Sequence, residues 1–426
     1  MTPTDRLIAL ATLPEGALPD DLLRVARWSV FDTLVVMRAG LAAEGSQRLE
    51  AFAKAEGGRA EASVAGLAEL VPARLASLVN GAIAHAIDYD DTHFGHIGHV
   101  SVAVLPAALA VGEAMGRTGA DVLTAFALGA EAACQVGASL GRPHYLAGFH
   151  QTATSGAFGA TVAAGRLMGL TSGEFANALG VTATRASGLR ATFGTMAKPL
   201  NAGIAAQNGV EAARLAAHGL TAGDDGVGAF LAAHGGTDQP YDVPPTPFLF
   251  PDNRYKLHAC CHGLHAMIEA LKSLPTAHAA SVHVRTNPRW LSVCDLKAPR
   301  TGLEVKFSYA FVAALVLAGR PTAAETSFTD ATAADPALNV IAQTVTVAGD
   351  DALPDGAAIV RLTTEDGTHH EATHDLADPI APDHLERALK DKATALLGAP
   401  RATRIFDGVA TMDAAPAGAL LRLVAD

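Results

Sequence analysis

The chain has 426 residues, 50% hydrophobic, 17% charged and 5% aromatic, with a formal net charge of -12. That length exceeds what one hydrophobic core usually organises, so two domains are expected, and the composition excludes a disordered chain. The acidic balance, without any run of Lys and Arg, excludes a nucleic-acid partner as the first reading, because phosphate binding needs clustered cations.

The opening MTPTDRLIALATLPEG lacks a basic segment followed by a long apolar core, so no signal peptide is expected. VSVAVLPAALAVGEAMG at 100–116 contains Pro106 and Glu113 and falls short of the roughly 20 residues that span a bilayer, which predicts a core helix and no membrane partner. The four cysteines, Cys134, Cys260, Cys261 and Cys294, form no CxxC pair, as expected of a cytoplasmic chain.

In chain order, DDLLRVARWSVFDTLVVMRAGLAA has helical spacing with Asp20 placed as a cap. Further helices are expected at 72–87, 101–117, 120–139, 152–168, 172–180 and 203–218, and nothing before residue 235 alternates like a strand. The Pro-rich DQPYDVPPTPFLFPDN at 238–253 marks a boundary. Strands follow in SVHVRT, in TVTVAG from 344, and in a hairpin over 357–375 that turns at Asp366-Gly367. Helices are expected at 302–319, at 381–400 and in the closing AGALLRLVA. The fold class is therefore mainly α: a large all-helical domain over 1–250, completed by 395–426, and a smaller α+β domain over 251–394.

Chemistry concentrates in NGAIAHAIDYDDTHFGHIGHVS at 80–101, where Asp88, Asp90, Asp91, His93, His96 and His99 crowd together. A metal site, a proton-transfer site and a hydrated loop compete. Gly95 and Gly98 favour a loop, so the i, i+3, i+6 spacing of the three histidines loses its geometric force as a ligand pattern. Three other clusters add weight to proton transfer. GFHQTATSGAFGA puts His150 before a small-residue helix whose first amides, with Thr152, Thr154 and Ser155, could receive an anion. GTMAKPLNAG puts Lys198 before Pro199 in a loop, and RYKLHACCHGLHAMIEAL gathers Lys256, His258, His262 and His265, the last two on one helix face. Arg185, Arg190, Arg254 and Arg300 are candidate carboxylate clamps.

Five segments in order, HAIDYDDTHFGHIGHVS, GFHQTATSGAFGA, GTMAKPLNAG, YKLHACCHGLH and VKFSYAF, resemble the MmgE/PrpD family. The resemblance implies a large helical domain with an α+β lid domain, typically in a homodimer, an active site in the cleft between the domains, and no metal or organic cofactor. Family activities include 2-methylcitrate dehydratase, cis-aconitate decarboxylase and iminodisuccinate epimerase. Carried over by motif, the catalytic set is Asp88, Thr92, His99, His150, Lys198 and His265, with Tyr89, Lys256, Phe311 and Arg300 assigned to substrate binding. Val100, Asn201, Leu257, Ala259 and Phe311 depart from the family pattern; Phe311 takes the place of a tyrosine for which Tyr309 is the nearby substitute.

The expected function is a metal-independent lyase or isomerase acting on a small di- or tricarboxylate by dehydration, decarboxylation or epimerisation. His99 and His265 are the expected proton-exchanging pair, with Asp88 as orienter and Lys198 stabilising the developing charge. The alternatives are 2-methylcitrate dehydratase proper and a non-catalytic metabolite-binding member of the family.

Overall fold

Ala and Gly crowd the helix faces in the first half of the chain, and helices with small faces can approach until their backbones touch. In the computed structural model, which describes residues 1–425, this half forms a helical unit from Met1 to Tyr255, completed by the residues from Leu397 onward. Its helices are α1 (Pro3–Ala11), α2 (Asp20–Gly40), α3 (Glu44–Glu56), α4 (Ala73–Ala84), α5 (Ser101–Ala114), α6 (Gly119–Leu146), α7 (Gln151–Met168), α8 (Ser172–Arg185), α9 (Ala197–Ala217) and α10 (Gly226–Ala233). The closing helices Ala399–Ala410 and Gly418–Ala425 pack on α2.

α7 is the centre of this unit, in contact with α5, α6 and α9, and every residue from Gln151 to Gly165 is buried. Glycine makes the crossings possible. A Cβ on Gly129 of α6 would fall 2.6 Å from the Gly159 carbonyl oxygen, and one on Gly203 of α9 would fall 2.0 Å from the Leu78 carbonyl oxygen of α4. α6 is long and apolar enough to cross a membrane by those two measures, yet 94% of its apolar window is buried inside the protein, as in a core helix.

Three expectations need correction. α9 begins at Ala197, so Lys198 lies in a helical first turn and not in a loop; Pro199 is tolerated there because its missing N–H would have no intrahelical partner. α1, α3 and α10 lie where no helix was expected; α1 is started by a Thr2–Asp5 capping box with Pro3 in its first turn. The helix expected over 302–319 is two, Gly302–Val305 and Tyr309–Leu317, because the Ser308 side chain accepts from the Phe311 N–H and caps a new start.

The second unit, Lys256–Leu396, carries a four-stranded mixed sheet in the order β2-β1-β3-β4. β1 (Ala279–Thr286) runs parallel to β2 (Val345–Gly349) and antiparallel to β3 (Ala357–Thr364), which forms a hairpin with β4 (His369–Asp375). Val282, Val284, Ala358, Val360 and Leu362 are buried, and α11 (His265–Lys272) packs on β3 and β4. Alternation along β1 and β3 thus gives the sheet one inner face, and that face fixes where the N-terminus of α11 stands.

The glycine crossings yield a stability test. Gly203→Ala should destabilise the chain by roughly 1–3 kcal/mol, since the methyl group meets backbone that cannot yield locally, read as a lower urea midpoint.

Candidate active site

α4 ends at Ala84, and the chain crosses a loop to α5 that carries the acidic and imidazole groups. Two non-glycine residues in it hold left-handed backbone, Asp88 at φ 53° and Ile97 at φ 56°. Asp tolerates that region; a β-branched Ile does so only when its surroundings enforce it. The enforcement is visible. Thr92 and Arg254 exchange backbone hydrogen bonds of 2.7 Å, His93 Nε2–H donates to the Leu249 carbonyl at 2.9 Å, and the His96 amide donates to His93 Nδ1 at 3.0 Å. His96 Nε2–H donates to Ser155 Oγ at 2.8 Å, because that hydroxyl spends its own proton on the Gln151 carbonyl. Asp91 accepts from Ser101 and Asn253. His93 and His96 are therefore anchors of the loop.

Between these anchors lies the candidate group. Asp90 is fully buried, with Oδ1 2.8 Å from His85 Nδ1 and Oδ2 2.8 Å from His99 Nδ1. Burial pushes its carboxyl upward, but the two imidazoles outweigh this and hold it well below the usual carboxylate range. His99 turns its other nitrogen toward Asp88, 3.5 Å from Oδ1, and Lys198 Nζ lies 2.7 Å from that same oxygen. The His85 ring stands 4.4 Å from His99 and 6.2 Å from His150, centroid to centroid.

His150 is the N-cap residue of α7, with Asn201 Nδ2 3.1 Å from its Nδ1 and the Phe193 ring edge-on at 4.9 Å. Burial, followed by the fields of His85, Lys198 and His99, lowers its pKa well below the ordinary value, so the ring is neutral near pH 7. The hydroxyls expected to meet an anion here are already engaged: Thr152 accepts from the His99 amide, Thr154 pairs with His144 and Ser155 with His96.

The first unit therefore brings together Asp88, His99, His150 and Lys198 from three separate segments, and adds His85, Asp90 and Asn201, which the sequence reading did not assign. His85 and Asp90 stand in the quoted HAIDYDD, but nothing in their spacing says that one carboxylate serves two rings. Thr92 joins through its backbone tie to Arg254, and Tyr89 is buried to 1% exposure beside Asp90 in the chain.

The second unit holds its own imidazole group. His265 opens α11, buried, with no hydrogen-bond partner for Nε2 among the described residues, and its ring lies 4.6 Å from His262 and 4.9 Å from His258. Burial first, then the fields of His262, His258 and Lys256, hold its pKa well below the ordinary value. His258 is fixed between Glu269 Oε1 at 2.6 Å and Thr322 Oγ1 at 2.8 Å. His262 lies in a 3-10 turn before α11, not on that helix as expected, though it remains adjacent to His265. Lys256 and Phe311 are buried in this unit, and the Tyr309 hydroxyl is committed to the Gly263 carbonyl at 2.8 Å and to Thr286.

The arginine clamps fare differently. The Arg300 side chain is 85% exposed and paired with Glu304, Arg185 binds Glu211, Arg190 donates to the Tyr145 carbonyl, and Arg254 pairs with Asp252. Each has a structural partner.

His85, Asp88, Asp90 and His99 could each turn one donor atom into a space with all four within 4.8 Å of one another, as a metal site requires. A cation there would compete with the Lys198 ammonium for Asp88 and with two imidazole rings for Asp90.

A helical unit carrying a carboxylate–imidazole–ammonium group, followed by a small mixed-sheet unit with its own histidines, matches known sequences along most of the chain. Residues 10–236 match the MmgE/PrpD N-terminal domain and residues 258–406 the MmgE/PrpD C-terminal domain. The chain belongs to the MmgE/PrpD family. It is 31% identical over 243 residues to human cis-aconitate decarboxylase, covering 53% of this chain and 49% of that protein. Over 285 residues it is 30% identical to cis-aconitate decarboxylase of Aspergillus terreus, covering 62% and 58%. The matched region thus spans about half to three-fifths of the length of these relatives.

The loop anchors predict a pH effect. Burial brings His96 to about 3 from an ordinary 6.5, so its contribution is complete above the unfolded value and is lost as the pH falls below it. Between pH 7 and pH 5 this amounts to about 2 kcal/mol from His96 alone. His96→Asn should flatten the acid slope of urea-measured stability by that amount; an unchanged slope would show that His96 does not titrate in this way.

Proposed function

We propose that this protein is a metal-independent carboxylate lyase or isomerase that breaks or makes a bond on the carbon beside a carboxylate of a small di- or tricarboxylate. The observation that carries this is the series Lys198, Asp88, His99, Asp90, His85, linked by contacts of 2.7, 3.5, 2.8 and 2.8 Å, with a neutral His150 alongside. Such chemistry leaves an electron pair on carbon that spreads into the neighbouring carboxylate. Fixed donors and cations lower that cost most effectively where water is excluded.

Asp90 Oδ2 lies 2.8 Å from His99 Nδ1, and a carboxylate there favours the proton on that nitrogen, which leaves the lone pair on Nε2 and makes His99 a general base. Once protonated, that imidazolium lies between two carboxylates, Asp90 and Asp88, so its charge is compensated at the moment it forms. Lys198 offers an ammonium to the substrate carboxylate in exchange for Asp88. For His265 the support is the family motif and a buried, neutral ring whose Nε2 has no hydrogen-bond partner among the described residues.

The relatives' names favour decarboxylation of an unsaturated tricarboxylate as the particular outcome. In that case the bond to the departing carboxylate breaks, carbon dioxide leaves, the bonding pair spreads over the remaining unsaturated acid, and a proton from a protonated imidazole returns to carbon.

Incubation in deuterium oxide with citrate, 2-methylcitrate, cis-aconitate and iminodisuccinate, followed by NMR, should reveal proton exchange or carbon dioxide loss with at least one acid; none with any would defeat the proposal. Asp90→Asn should lower kcat about 10²–10⁴-fold with the fold retained, by misorienting His99. Lys198→Ala and His265→Ala should each remove most turnover. Dialysis against a chelator should leave the rate unchanged, and a loss restored by a divalent metal would overturn the metal-independent assignment.

A further inference from the structure

Two imidazoles that flank one reaction centre can divide the work only if each is held in a defined tautomer. His99 has a carboxylate oxygen 2.8 Å from Nδ1, and that negative charge favours the proton on Nδ1. His150 is held differently. Its Nδ1 faces the Asn201 side chain, and among the described residues no other group hydrogen-bonds this ring.

The amide orientation of Asn201 follows from its surroundings. Nδ2 lies 3.1 Å from Thr192 Oγ1 and 3.4 Å from the Leu189 carbonyl oxygen. A carbonyl can only accept, and the Thr192 hydroxyl already donates its proton to that same carbonyl at 2.8 Å, so it too can only accept. Turning the amide over would bring its oxygen against two acceptors. The nitrogen must therefore face this side, and its remaining N–H points to His150 Nδ1.

The frame around the pair is rigid. The His150 amide donates to the Gly188 carbonyl at 3.0 Å and the Arg190 amide to the Gly148 carbonyl at 2.9 Å, which ties the loop bearing Leu189 and Thr192 to the start of α7. Asn201 itself stands on α9 and is buried.

We propose that Asn201 is a positioning residue that locks His150 in the Nε2–H tautomer, making His150 a neutral hydrogen-bond donor to the substrate carboxylate while His99, in the opposite tautomer, serves as base. The role in turnover rests on the function proposed above; the tautomer itself does not. Burial and the neighbouring positive groups support it by keeping the His150 ring uncharged. A carboxylate in place of the amide would invert the arrangement, since it would accept from Nδ1–H and leave His150 with a lone pair where the substrate needs a donor.

The test uses the full chain labelled with 15N-histidine. Ring nitrogen shifts and couplings should show His150 protonated at Nε2, its signals identified by their loss in His150→Gln; protonation at Nδ1 in the unsubstituted chain would overturn the lock. Asn201→Asp, nearly the same shape, should move the proton to Nδ1 and lower kcat at least about 100-fold. Asn201→Ala should fall between the two. A merely structural role predicts the reverse order, with the isosteric Asp the milder change. An Asn201→Asp chain that moves the proton yet works within about threefold of the unsubstituted chain would overturn the donor role. If the unsubstituted chain exchanges no acid while His150 is protonated at Nε2, the proposed function fails and the lock stands.

Discussion

The structure of this site depends on one buried carboxylate. Asp90 is out of contact with solvent, and a charge in that position is tolerated only because each of its oxygens meets an imidazole nitrogen at 2.8 Å. The two rings come from the end of α4 and the start of α5, so the same contacts that compensate the charge also join the loop's two ends. Removing either ring would leave a charge with half its compensation, which is far more costly than never burying one.

That arrangement needs a backbone held where it would not settle unaided. Asp88 and Ile97 sit in left-handed conformations within a loop of fifteen or so residues, and the loop is pinned by two further histidines. His93 and His96 grip Leu249 and Ser155, while Thr92 zips to Arg254. Beneath them α7 and α9 supply a floor that is rigid because its glycines allow backbone contact. His150 and Lys198 each stand within the first turn of one of these helices or at its cap, so their positions inherit that rigidity.

The arginines show the complementary lesson. Guanidinium groups suit carboxylates, but each of the four considered already has a partner within the protein. Lysine carries less geometric preference and exchanges partners readily, so under the proposed function the Lys198 ammonium on Asp88 would pass to the incoming carboxylate without a fork of hydrogen bonds to rebuild.

Much of this was legible in the residues themselves. Apolar periodicity announced most helices of the first unit, though not α1, α3 or α10, alternation announced β1 and β3, and the five motifs carried the family and pointed to Asp88, His99, His150 and Lys198, which the fold brings together. Such signals are local, because helices, strands and motifs are written in nearest-neighbour spacing. Local spacing misled at Lys198, where Pro199 reads as a break but sits harmlessly in a first turn, and at Ser308, whose capping side chain divides one apolar run into two helices. What folding alone decided is pairing. That Asp90 serves two rings, that Asn201 faces His150 from fifty-one residues away, and that the arginines are already engaged all depend on which distant side chains share a few ångströms, a quantity no spacing along the chain contains.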